Sequence, residues 1–132
     1  MYIFEIELKV RDYECDIQGV VNNSVYQNYL EHTRHEFLEQ NEVSFAELHN
    51  RGIDAMVSSI EISYKMPLKP GDWFVSKLYV QKEGVRYIFH QAIYRKSDNK
   101  LAIKAKVHAV VVINGKLGTS LPEFDKLIDL KI

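Results

Sequence analysis

The order of apolar periodicities along the chain leaves few folds open. One stretch, from about Ser24 to Asn41, repeats at helical spacing, with Tyr26, Leu30, Thr33 and Phe37 on one stripe and Tyr29 beside them. After Gly52 the period changes to that of strands. Residues 54–66 set Met56, Ile60, Ile62, Tyr64 and Met66 on one face. Residues 73–82 read as a second strand, and residues 85–96 set out Val85, Tyr87, Phe89 and Ile93. Residues 100–113 place Leu101, Ile103, Ala105, Val107, Ala109 and Val111 opposite Lys104, Lys106 and His108. Residues 2–11 alternate as an initial strand, through Tyr2, Phe4, Ile6, Leu8 and Val10. Turns are expected at Pro67–Asp72, at Glu83-Gly84 and at Ser97–Asn99. Residues 44–50 have room for another helical turn or two. Residues 122–128 predict a short terminal helix opened by Pro122. An antiparallel sheet with one apolar face must cover it, and the only large apolar helix is 24–41. The chain therefore predicts an α+β fold, a curved antiparallel sheet wrapped around one long helix, in a single domain over residues 1–132.

Charge and cysteine content narrow the function classes. Seventeen basic and eighteen acidic residues give a formal net charge of −1, so no global field favours nucleic acid or an anionic membrane. One cysteine, Cys15, excludes an internal disulfide and suits a reducing compartment. The start, Met1-Tyr2-Ile3-Phe4-Glu5-Ile6-Glu7, is acidic and alternating, unlike a signal peptide. No apolar run approaches transmembrane length. The expectation is a soluble cytoplasmic protein.

The segment Asp12 to Tyr26 carries the chemistry. Asp16 lies in a loop three residues before Gly19, and Asn22-Asn23 opens the long helix, with Asn22, Asn23 or Ser24 as its cap. A loop aspartate ordinarily makes a turn or a cap. Beside a helix start it has a second use. The carboxylate can act as base or nucleophile on an activated acyl group, and the free backbone N–H groups of the helix start can hold the oxyanion that develops. Gly19 lets the loop backbone pass close to a ligand.

Two motifs occur in a characteristic order. Asp16, Gly19, Val21, Asn22, Asn23 and Tyr26 form Asp-x-x-Gly-x-Val-Asn-Asn-x-x-Tyr. Ile62 to Asp72 form Ile-x-Tyr-x-x-Pro-Leu-x-Pro-Gly-Asp. Together they resemble the hotdog-fold acyl-CoA thioesterases of the 4-hydroxybenzoyl-CoA thioesterase type, over nearly the whole chain in element order. The resemblance implies that Asp16 is the catalytic nucleophile or general base. It implies that the backbone N–H near Asn23 polarises the thioester carbonyl. It further implies a homodimer or homotetramer with the pocket at the subunit interface, where residues near Met56 to Ser59 of one chain face the Asp16 loop of the other. Gly19, Val20, Asn22, Tyr26, Ser58 and Ser59 are then the substrate-binding candidates. The chain departs from the pattern at Val20, where many relatives have His, and at Asn22-Asn23, where others have Tyr-His or Tyr-Tyr.

The expected reaction is hydrolysis of an acyl-CoA with an aryl or medium aliphatic acyl group, without metal or redox cofactor. Alternatives are the same chemistry on an acyl-carrier-protein thioester, hydration or dehydration of an enoyl thioester, and a non-catalytic acyl-CoA-binding module. Hotdog hydratases generally pair their acid with a His a few residues on, and no His lies between Asp16 and His32. Among the remaining residues, Tyr26 sits on the buried stripe, which favours a core role. Glu31 and Arg34, three apart, are expected to pair with each other or with a neighbouring protomer. Glu31 is also the second choice as catalytic carboxylate. Cys15 has no partner His. His32 and His35 lack a third ligand, and His35-Glu36-Phe37-Leu38-Glu39 misses the zinc-protease pattern at its last position. Lys104, Lys106 and His108 read as a solvated strand face, with CoA phosphate contact as the alternative.

Overall fold

Asn22 begins the long helix by satisfying one of its orphan N–H groups. In the computed structural model, which describes residues 1–130, its side-chain oxygen accepts the Ser24 N–H at 3.2 Å. The helix α1 then runs Asn23–Gln40, within one residue of the expected span at either end. Tyr26, Tyr29, Leu30, Thr33 and Phe37 are all buried, as their spacing predicts. A short strand β1 (Phe4–Lys9) and a turn of 3-10 helix (Asp12–Glu14) precede it. The helix α2 (Phe45–Asn50) follows, its first turn held by Ser44.

Four long strands come next: β2 (Ile53–Tyr64), β3 (Trp73–Glu83), β4 (Arg86–Arg95) and β5 (Leu101–Ile113). A two-residue strand β6 (Lys116–Leu117) and the helix α3 (Pro122–Ile128) complete the described chain. The sheet order is β1-β3-β4-β5-β2, with β6 on β5 and every pair antiparallel. β2 leaves the helices for the far edge of the sheet. β3 returns beside β1, and the remaining strands meander back to β2.

The apolar side of this curved sheet packs on α1 and, near Tyr87, on α3. Phe74, Leu78 and Val80 of β3, Tyr87, Phe89 and Ile93 of β4, and Ile103, Ala105, Val107 and Val111 of β5 are buried there. Lys104 and Lys106 stay on the opposite, exposed side. Two buried polar pins fix how the helix lies on the sheet. Thr33 Oγ1 bonds the Tyr29 carbonyl and Ser76 Oγ, each at 2.7 Å. Gln91 Nε2 donates to the Leu30 carbonyl at 3.1 Å. Each satisfies a polar group that would otherwise be costly at the interface.

One expectation is corrected. The pairing of β2 with β5 shifts register between Val57 and Ser59, a bulge. Ala55 and Val57 pair with Val111 and Ala109, and beyond the bulge Ile60, Ile62 and Tyr64 pair with Val107, Ala105 and Ile103. The helix-facing set therefore switches from odd to even numbers, and Met56 lies on the opposite face from Ile60. β2 is also barely covered. Met56 is 55% exposed, Val57 49% and Tyr64 47%, on a strand whose second edge carries no partner among the described residues. None of the described helices is long and apolar enough to cross a membrane.

Candidate active site

The loop that carries Asp16 is a small hairpin. Cys15 and Val21 form a bridge, Asp16 N–H donates to the Val20 carbonyl at 2.9 Å, and Gly19 N–H donates to the Asp16 carbonyl at 3.0 Å. Gly19 turns the chain at φ 76°, a left-handed conformation that favours glycine. The Asp16 carboxylate accepts the Gln18 N–H at 2.9 Å, and among the described residues it has no other donor. It is exposed, with the fully exposed Ile17 next to it.

Glu14 ties this hairpin to α1. Its carboxylate accepts the Tyr29 hydroxyl at 2.8 Å and the Arg11 N–H at 2.7 Å, and its carbonyl accepts the Asn22 N–H at 3.0 Å. Burial, with Glu14 next, pushes the Tyr29 phenol far above its ordinary value, so the hydroxyl stays a donor. The other side of the hairpin is held to the Pro67–Asp72 turn. Val21 N–H donates to the Leu68 carbonyl at 2.9 Å, and the Tyr26 hydroxyl accepts the Leu68 N–H at 3.0 Å.

A cavity of about 220 Å³ opens where these pieces meet. Val20, Asn23, Tyr26, Tyr64 and Met66 line it, with Val21, Lys65 and Pro67. Tyr26 and Tyr64 meet edge to face at 5.7 Å and form an aromatic wall. At its polar end stands Asn23, the first residue of α1. The Asn23 N–H has no acceptor among the described residues, whereas the next N–H is taken by the Asn22 cap. The helix therefore keeps one free donor at the positive end of its dipole, on a residue that lines this cavity.

The expected site residues thus divide. Val20, Asn23 and Tyr26 line the cavity directly. Asp16 is joined to it through the backbone bond to Val20. Gly19 shapes the hairpin and Asn22 caps the helix, and neither lines the cavity. The Tyr26 hydroxyl is engaged with Leu68, which makes its contribution one of shape. Ser58 and Ser59 stand at the β2 bulge, outside the lining, with Ser58 Oγ donating to the His108 carbonyl at 3.2 Å.

Other candidates fall into place around it. Cys15 is a poor nucleophile, since partial burial and then the carboxylates of Glu14, Asp16 and Asp12 push its thiol up. No group of three or more His, Cys, Asp or Glu side chains comes together for a metal among the described residues. Lys104, Lys106 and His90 line a separate hollow on the opposite side of the sheet. Glu31 and Arg34 do not pair within 4 Å among the described residues. Arg34 is buried and donates instead to Gln91 Oε1 at 3.1 Å. Neither Gln91 nor Glu14 stood out in the sequence as a partner. Glu14 lies in the hairpin motif itself and was legible by position. Gln91 is marked only as the polar member that interrupts the apolar alternation of β4.

The chain belongs to the thioesterase-like superfamily, whose family model matches residues 10–128. It is 40% identical over 111 residues to the chloroplastic acyl-acyl carrier protein thioesterase ATL3 of Arabidopsis thaliana, covering 83% of this chain and 58% of that protein. It is 39% identical over 119 residues to ATL2 of the same plant, covering 89% of this chain and 63% of the relative. The chain thus spans about three fifths of the length of these plant relatives. Its fold superposes on the crystal structure of Slr0204, a 1,4-dihydroxy-2-naphthoyl-CoA thioesterase from Synechocystis, with a TM-score of 0.88. That match covers 95% of this chain and 94% of the other at 18% identity, and it defines the shared hotdog fold.

Proposed function

We propose that the protein hydrolyses acyl thioesters, with Asp16 as base or nucleophile and the Asn23 N–H as oxyanion donor. The observation that carries this reading is the unpartnered N–H at the start of α1, on Asn23, a residue that lines an aromatic-walled cavity beside the Asp16 hairpin. A thioester is suited to so sparse a site, because thiolate is a good leaving group and one fixed donor stabilises the tetrahedral oxyanion. Family membership and the two plant thioesterases point to the same chemistry.

The aromatic and apolar walls favour an aryl or medium aliphatic acyl group, at about 0.8 kcal/mol per methylene buried. The carrier is CoA in our first reading. The 40% identity to ATL3 favours a second, in which the same acyl group is delivered on an acyl carrier protein. Acetyl, hexanoyl and benzoyl thioesters of CoA, and the hexanoyl thioester of a carrier protein, separate these readings when released thiol is followed. Hexanoyl or benzoyl is expected to exceed acetyl in kcat/KM. Salt is expected to weaken CoA binding without reordering the acyl groups. Acetyl as the best substrate removes the apolar-wall argument. A much higher kcat/KM on the carrier protein assigns the second reading.

We further infer that the working unit is at least a dimer, formed along β2. The 220 Å³ cavity is small for a ligand site, which typically runs from about 300 Å³. β2 offers a twelve-residue edge that is unpaired among the described residues, with exposed Met56, Val57 and Tyr64. A second copy joined there brings Ser58 and Ser59 towards the Asp16 hairpin and encloses the substrate. Sedimentation at micromolar concentration is expected to give a dimer or tetramer, and a monomer alone rules this assembly out.

A further inference from the structure

Arg34 is 8% exposed, yet among the described residues only one of its five guanidinium donors has a protein acceptor, the neutral Gln91. No carboxylate lies within 4 Å of it among the described residues. Gln91 Oε1 accepts that one bond, and its amide nitrogen, itself a donor, is turned to the Leu30 carbonyl. Its remaining donors are not sealed in, since among the described residues the enclosed polar atoms without a partner are His90 Nε2 and His108 Nδ1, so a charged guanidinium is left open to an anionic or strongly accepting ligand. Burial lowers its proton affinity and Glu31, on the helix turn before, opposes this.

The same side chain lines a cavity of about 120 Å³ whose other walls include Leu38, Ala55, Val57, Phe89 and Phe124. That volume equals about four waters, enough for the end of an acyl chain and a polar group. It lies between α1 and β2, as does the cavity at Asn23, but at the other end of the strand. Val57, Ile60 and Tyr64, all exposed on the helix-facing side of β2, run from one to the other. Arg34 is eleven residues beyond Asn23, about 16 Å along the helix axis, and helical side chains lean back towards the helix start.

Resting on the thioesterase reading, we propose that Arg34 marks a distal acyl subsite, which takes acyl groups ending in an oxygen acceptor, a carboxylate or a hydroxyl. The acyl chain lies along the apolar strip of β2, with its thioester carbonyl at Asn23 and its oxygenated end on the free guanidinium donors. A carboxylate end makes the stronger contact, since both partners are charged.

Three CoA thioesters test this: octanoyl, ω-hydroxyoctanoyl and the half-thioester of octanedioic acid. Affinity is read on their carbon-for-sulfur analogues, which cannot be hydrolysed, and turnover on the thioesters themselves. The wild-type protein is expected to bind the carboxyl-ended analogue about tenfold or more tighter than the octanoyl one. Arg34→Gln abolishes that preference, and Arg34→Lys retains part of it. The Arg34→Lys and wild-type comparison stands even where Arg34→Gln does not fold. Equal or tighter wild-type binding of the plain octanoyl analogue overturns the subsite. So does a preference unchanged in Arg34→Gln together with a dimer that dissociates, which assigns the guanidinium to Glu31 of a second copy. Intact binding preference with no turnover of any thioester sinks the hydrolase reading and leaves the subsite in place.

Discussion

Asp16→Asn is expected to lower kcat at least ~100-fold while leaving the fold intact. The argument rests on what the asparagine keeps. The Asp16 carboxylate accepts the Gln18 N–H, and the carbonyl oxygen of an asparagine can accept the same bond. The hairpin is otherwise held by backbone bonds from Asp16 and Gly19, which the change does not touch. Only the charge is lost, and with it the ability to attack a thioester or to take a proton from water. A free aspartate is a weak base at neutral pH, so its use as a base requires that it be desolvated. In a single chain Asp16 is exposed, and the substrate and a second subunit are the candidates to cover it. Turnover followed by thiol release, with a thermal melt as control, checks this. Near-normal turnover in Asp16→Asn overturns the assignment and makes Glu31 the next carboxylate to test.

The parts of this fold that were legible in the sequence are those whose causes are local. The span of α1 follows from the Asn22 cap and from a stripe that repeats every three or four residues. The extent of α3 follows from Pro122 at its first position. The order of β3, β4 and β5 follows from short turns between alternating runs. The bulge in β2 was written in the sequence too, in two alternations of opposite parity, Ala55 and Val57 before Ser58-Ser59 and Ile60, Ile62 and Tyr64 after it. Reading the segment as one alternation put Met56 on the wrong face.

Long-range polar contacts were not legible. Thr33 meets Ser76 and Arg34 meets Gln91 only because β3 and β4 lie under α1 in one register, and neither register is a local property. Of the two partners expected for Arg34, Glu31 of the same helix was suggested by helical spacing alone, and within the chain the buried amide of Gln91 takes its place. The geometry of the candidate site was legible in half. Asp16, Val20, Asn23 and Tyr26 are close in sequence and come together in one hairpin and one helix start. Ser58 and Ser59 entered through family resemblance, and within one chain they stand apart from that cavity.

Asn23→Pro is expected to cost about 10²–10³ in kcat, whereas Asn23→Ala stays close to wild type. The contrast isolates one backbone hydrogen. Asn23 is the first residue of α1, the position where a helix best tolerates proline, because that N–H has no intrahelical acceptor. The residue before it, Asn22, sits at φ −64° and ψ 138°, in the extended region that a residue preceding proline prefers. The Asn22 cap bonds the Ser24 N–H, which the proline leaves untouched. The substitution therefore removes the free donor at the cavity with little reason to disturb the helix, and its thermal midpoint should remain near that of the parent. The loss should fall on kcat more than on KM, since the donor acts on charge that develops in the transition state. A large defect in Asn23→Ala instead assigns the stabilisation to the side-chain amide, and full activity in Asn23→Pro removes the helix start from the mechanism.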